Sequence, residues 1–171
     1  IVAGTYAAAL TAAHGALTGA HLLTAGERAV FALCRPPGHH AGRDFAGGYC
    51  YFNNASIAAR TLATRGRVAL LDVDFHAGNG TQDIFYEDPT VLTVDIHADP
   101  DRQYPYFAGY ADERGAGAGL GYHHNYPLPY RADDALYLAT LDAALAEIRS
   151  FAPHCLVCLL YTSDAADERS S

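Results

Sequence analysis

A parallel α/β sheet with helices on both faces is the fold class this sequence predicts. Three observations predict it. Short apolar runs alternate with loops and helical stretches in a strand, loop, helix, strand rhythm. The run Val68-Ala69-Leu70-Leu71 reads as a buried strand, and its carboxyl end opens where open α/β sheets build their sites. Two long Gly-bearing loops, 36–51 and 97–121, have no period of their own, and loops of that length in a compact domain are usually functional.

Element by element, residues 1–25 are Ala-rich, with Leu10, Leu17, Leu22 and Leu23 at roughly helical spacing, and predict a helix or a helix pair. Ala29 to Leu33 predicts a short strand closed by Pro36-Pro37. Asn53 or Asn54 is placed to cap a helix running to Arg65, with Gly66 as its stop. Val68 to Val73 is the next strand, Thr81 to Tyr86 a helical turn, and Val91 to Ile96 a β-branched strand. Tyr122 to Leu128 predicts a further strand. Asp133 or Asp134 opens a helix striped by Leu136, Leu141, Leu145 and Ile148, and Cys155 to Leu160 ends the series.

The bulk numbers narrow the class. A length of 171 residues is one domain's worth at most, and 50% hydrophobic with 18% charged residues describes a core-forming chain. A net charge of -8 without a basic cluster argues against nucleic-acid binding. No apolar stretch is long enough to span a membrane and no secretory signal is visible, so the expected compartment is the cytoplasm. The four cysteines include Cys155-x-x-Cys158, but without a second pair they read as reduced thiols.

The chemistry concentrates in Pro36-Pro37-Gly38-His39-His40 and Asp72-Val73-Asp74-Phe75-His76. A carboxylate and an imidazole two residues apart suit zinc or a similar divalent ion, although catalytic zinc takes about three protein ligands and this cluster offers two. A histidine titrating near metal-acidified water can accept and return its proton. Each imidazole of His39-His40 needs a partner to fix its tautomer, and Asp72 and Asn79 are near enough to serve. The bland alternative, a solvated polar strand end, is weakened by the histidine pair on its stiff loop.

Cys34-Arg35-Pro36-Pro37-Gly38-His39-His40-Ala41, Gly48-Tyr49-Cys50-Tyr51-Phe52-Asn53-Asn54 and Asp72 through Gln82 resemble the zinc-dependent histone deacetylase superfamily, in order and over most of the chain. Tyr104 to Glu113 and Gly115 to Gly119 resemble its acetylpolyamine amidohydrolase branch. The resemblance implies an arginase/deacetylase-like sheet, incomplete at both ends, with residues 1–158 a partial catalytic domain and 159–171 a non-native or disordered tail. It implies Asp74 and His76 as zinc ligands, His40 as general base with Asn79 as partner, and His39 as charge stabiliser with Asp72. Tyr49 and Phe107 become aromatic walls, and Gly48 offers its carbonyl to the substrate. Structural potassium is implied at Asp72 with Asp95, where a Ser is expected, and at Phe85, Asp88 and Val91.

The pattern breaks late. Where the family carries a third zinc ligand in a Gly-x-Asp-Thr context, this chain reads Leu160-Tyr161-Thr162-Ser163-Asp164, and the late oxyanion Tyr lies beyond the sequence. The implied reaction is deacetylation of a small acetylated amine, with protein acetyl-lysine as the second substrate class. The isolated fragment is expected to be inactive or nearly so. A non-catalytic acyl-lysine-binding module is the competing class. An arginase-like ureohydrolase fits less well, since it needs more Asp–His pairs and lacks the Pro-Pro-Gly-His-His loop. A homodimer is compatible with the polyamine branch.

Overall fold

The computed structural model describes residues 1–160. Four parallel strands form one sheet in the order β3-β2-β1-β4, with β1 at Val68–Asp72, β2 at Val91–Ala98, β3 at His123–Leu128 and β4 at Cys155–Leu159. The chain steps outward from β1 to β3, and helix α4 (Asp134–Phe151) then carries it back to β4 on the far side of β1. The reversal falls beside β1, so the crevice at the carboxyl end of that strand is the topological switch point where such sheets bind ligands.

Every residue of β1 is buried, because helices cover both faces. Val68 and Leu70 pack with Ala16, Ala20, Ala58, Ala59, Leu62 and Phe85, on the side of α1 (Thr5–Thr24) and α2 (Asn54–Leu62). Ala69 and Leu71 face the opposite way, onto Ala144, Ile148 and Phe151 of α4. The predicted fold class is borne out.

The local signals mostly set the element ends. Asn53, not Asn54, caps α2 by accepting from the Ser56 N–H at 3.0 Å, and Asp133 caps α4 through the Leu136 N–H at 2.9 Å. The first segment is one continuous helix, α2 stops at Leu62 short of Arg65, and β2 continues two residues past Ile96 to Ala98. A seven-residue helix, α3 (Asn79–Phe85), begins two residues before the predicted turn.

Two expectations fail. Ala29 to Leu33 forms no strand, and Phe31 and Leu33 are exposed. Both sides of β1 are already paired, and the segment instead follows α1, where small residues admit it. A Cβ on Gly19 would meet Val30 Cγ1 at 3.4 Å, and the Cys34 thiol donates to the Ala12 carbonyl at 3.2 Å. On α4, Leu136 is exposed, and Tyr137 joins Leu141, Leu145 and Ile148 on the packed face. Leu159, the first residue of the stretch read as a tail, pairs with Asp72 at the end of β4. Residues 161–171, with the Asp164 candidate ligand, lie outside the described residues.

A buried histidine on β3 makes folding pH-sensitive. His123 Nδ1 bonds the Thr93 hydroxyl and Nε2 donates to Gln82 Oε1 at 2.9 Å, deep in the structure. Burial, assisted by neighbouring His124 and His97, presses its pKa down from 6.5 to about 4. Between those values the unfolded chain binds the extra proton, so this stability contribution is complete above pH 6.5 and is lost as pH falls toward 4. The loss expected is on the order of 3 kcal/mol. Urea unfolding at pH 7.5 and 4.5 should show it, with a flatter profile in His123→Gln; an equal slope in both proteins would refute the assignment.

Candidate active site

Asp72 is the last residue of β1 and pairs in register with Asp95 of β2, which sets two buried carboxylates side by side at the carboxyl end of β1. Beyond Asp72 the chain curls rather than continuing as strand. The Asp74 N–H donates to Asp72 Oδ1 at 3.0 Å, and the His76 N–H donates to Asp74 Oδ1 at 2.8 Å. These successive turns bring the side chains of residues 72, 74 and 76 to one place, which the flat period of a strand would not explain.

The 36–51 loop delivers the histidine pair to the same place. The His39 carbonyl accepts the N–H groups of Gly80 and Thr81 at 2.9 and 3.1 Å, and Asn53 Nδ2 holds the Ala41 carbonyl at 3.1 Å. Both imidazoles are buried, with ring centroids 4.0 Å apart. His39 Nδ1 donates to Asp72 Oδ2 and His40 Nδ1 donates to Asn79 Oδ1, each at 2.8 Å.

Matching geometry with different partners separates the two rings electrostatically. Burial works against charge on His39, but the carboxylates of Asp72, Asp74 and Asp95 outweigh it and raise its pKa to about 9. His40 has only an amide partner. Burial and then the charge of His39 lower it to about 4. Asp72 is itself pushed up to about 6 by burial, against the pull of His39. At neutral pH the site therefore holds an imidazolium, His39, against a neutral base, His40, whose Nε2 is left to work.

Asp74 and His76 fit two positions of a zinc site. His76 Nδ1 lies 3.5 Å from Asp74 Oδ1, close to the roughly 3.4 Å that two tetrahedral ligands at about 2.1 Å subtend. The hydrogen bonds at Asp74, chiefly from His76, hold its pKa below the usual carboxylate value despite burial, which keeps an anionic donor available. Among the described residues, no group of three His, Cys, Asp or Glu side chains converges to hold a metal.

The remaining predicted residues divide. Gly48 has φ +52°, and a Cβ there would come within 2.1 Å of His40 Cδ2, so only glycine lets this loop lie on the base. The buried Cys50 thiol donates to the Gly48 carbonyl at 3.4 Å. Tyr49 and Phe107 are exposed, at 79% and 68%. Asp95 is engaged by the Gly78 N–H at 2.7 Å and by His97. Phe85 and Val91 belong to the core, and Asp88 accepts from Thr90 and pairs with Arg60, away from the histidines.

Two side chains at the site were not singled out from sequence. Tyr104 stands edge-on to His40, with centroids 4.7 Å apart, and 6.2 Å from His76. No local pattern marks it. His97 bonds Asp95 and the Gly109 carbonyl. Its signal was legible: Asp95-x-His97 on a strand puts both residues on one face, a spacing already noticed in Asp74-x-His76.

The chain that builds this site belongs to the histone deacetylase domain family, whose profile matches residues 1–167. Over 159 residues it is 54% identical to acetylpolyamine amidohydrolase 2 of Pseudomonas aeruginosa and 55% identical to acetylpolyamine amidohydrolase 1 of the same organism. Each alignment covers 92% of this chain and 46% of the relative. The crystal structure of the acetylpolyamine aminohydrolase from Burkholderia pseudomallei superposes with a TM-score of 0.86 at 51% identity, over 90% of this chain and 46% of that one. The chain thus spans about half the length of the relatives it matches.

Proposed function

We propose that the full-length protein is a zinc-dependent amidohydrolase that removes acetyl groups from acetylated polyamines or related N-acetyl alkylamines. The observation that carries this reading is the split histidine pair: adjacent rings driven to about 9 and about 4 beside two zinc-type ligands. Groups whose surroundings push their pKa values apart are how one site runs acid and base chemistry together.

Asp74 and His76 would hold the zinc with a ligand outside the described residues. A zinc ion held there would supply acidified water and Lewis-acid activation of the acetyl carbonyl. His40 takes the water's proton at Nε2 and returns it to the leaving amine, while Asn79 fixes the tautomer that leaves Nε2 basic. His39, kept cationic by Asp72, stabilises the negative charge that develops on the acyl centre. Tyr49 and Phe107 wall the alkyl chain, and the Gly48 carbonyl accepts from the substrate N–H.

The substrate class is favoured by more than half identity to proteins named for acetylpolyamines. The net charge of -8 is compatible with a cationic amine. Among the described residues, no helix is long and apolar enough to cross a membrane, and a cytoplasmic site of action belongs to the same proposal. So do structural potassium at Asp72–Asp95 and at Phe85–Asp88–Val91, and a homodimer.

Acetate release by the metal-loaded full-length protein tests the reading. A monoacetylated linear diamine should be cleaved with kcat/KM about tenfold or more above an acetyl-lysine peptide, a discrimination of little over 1 kcal/mol. Chelation should abolish turnover, and zinc should restore it. Preference for the peptide would move the substrate class to protein, chelator-resistant turnover would remove the metal, and tight binding without turnover would make the protein a binding module.

A further inference from the structure

Phe107 lies on the connection between β2 and β3, residues 99–122, with little regular structure, yet a substrate wall must be held in place. The hold comes from below. His97, at the end of β2, has a fully buried side chain with both ring nitrogens engaged. Nδ1 donates to Asp95 Oδ1 at 2.8 Å and Nε2 donates to the Gly109 carbonyl at 2.9 Å. Asp95 in turn accepts the Gly78 N–H at 2.7 Å through its other oxygen, so the same carboxylate braces the turn that follows His76.

The opposite side of the loop is gripped as well. Glu113 Oε2 accepts the N–H groups of Gly109 and Tyr110 at 2.7 and 2.8 Å, and Asn125 Nδ2 donates to the Tyr110 carbonyl at 3.1 Å. Gly109, at φ +105°, lies so close to Ala77 and His97 that a Cβ would come within 2.7 and 2.8 Å of them. Phe107 is two residues upstream of this clamp.

We propose that His97 is a positioning residue that ties the Phe107 wall to the strand ends beneath the histidine pair, through Gly109 on one side and Asp95–Gly78 on the other. The inference rests on the reading of Phe107 as a substrate wall. It takes no part in proton transfer. Its role is to fix where the alkyl chain lies relative to His40, and misplacement by about 1 Å can cost around 10²-fold.

A double-mutant cycle on the full-length enzyme tests it, with His97→Phe and Phe107→Ala read on a monoacetylated diamine. His97→Phe should raise KM about tenfold with kcat within about threefold, and its effect should shrink below about twofold once Phe107 is already alanine. His97→Gln, which retains an N–H donor, should recover part of the KM. Independent effects in the cycle would overturn the proposal, as would a loss confined to kcat. If Phe107→Ala alone leaves KM unchanged, it is the substrate-wall reading that fails. Should His97→Phe not fold, Glu113→Ala removes the acceptor of the Gly109 and Tyr110 N–H groups and enters the same cycle, where additivity with Phe107→Ala would again overturn it.

Discussion

Replacing His40 with alanine in the full-length protein lowers kcat for amide hydrolysis by about 10²- to 10⁴-fold, the range a positioned general base contributes. Zinc content stays unchanged, because His40 bonds Asn79 and stands outside the Asp74–His76 pair. The two readouts together discriminate. A drop in metal content would make His40 a ligand, and a fall in kcat of less than tenfold would remove it as the base.

The pH profile carries the same logic. In the proposed mechanism His40 acts neutral and His39 charged, so the rate is expected to fall in acid as His40 gains its proton and in base as His39 loses its own. A cation at Asp74 and His76 pulls both values down, which makes about 9 the upper bound of the basic limb. Asn79→Asp exchanges the amide for a carboxylate and stabilises the imidazolium of His40. The acid limb should then move upward, and an unmoved limb would show that this partner does not set the base.

Gly80→Ala is expected to lower both stability and rate, because its added methyl meets the backbone of the histidine loop. Its Cβ would lie 2.3 Å from the Ala41 carbonyl oxygen and 2.6 Å from the His40 carbonyl carbon. Both obstacles are backbone, so no rotamer change relieves them. The loop holding His39 and His40 must lift off α3, breaking the bonds from Gly80 and Thr81 to the His39 carbonyl. Overpacking of this kind costs about 1–3 kcal/mol, and displacement of the base adds a fall in kcat of around 10²-fold. Gly15→Ala in α1 is the control: its Cβ meets only Cys34 Sγ, at 3.5 Å, and helix propensity favours alanine by about 1 kcal/mol. Urea unfolding of the two variants with parallel rate measurements decides the matter. A Gly80→Ala protein with native stability and rate would contradict the close packing.

Much of this arrangement could be read before any coordinates, for identifiable reasons. β1, β2 and β4 are largely apolar runs, and the caps at Asn53 and Asp133 are local hydrogen bonds that a short window contains. Ala29 to Leu33 has the same local chemistry as those strands, but pairing is decided elsewhere in the chain. The helix phase on α4 turned on Tyr137, an aromatic that a leucine count passes over. At the site, residue types and the family resemblance suggested that His39 and His40 differ. How strongly they differ depends on burial and on carboxylates thirty or more residues away. Tyr104 and the Gly109–Glu113 clamp lie in a stretch the resemblance picks out, but their contacts to His40 and to the loop backbone are tertiary facts.

The outer strand β4 has a practical consequence at the bench. It pairs with β1 alone among the described residues, and Leu156, Cys158 and Leu160 are exposed along it. An open backbone edge bearing apolar groups is a template for pairing with another chain, and an exposed thiol on it invites oxidative crosslinking. Concentrated samples of these 171 residues should therefore self-associate through β4 unless that edge is covered. A charged residue at Leu156 with serine at Cys158 is the least intrusive way to keep them monodisperse, since neither position reaches the histidine pair.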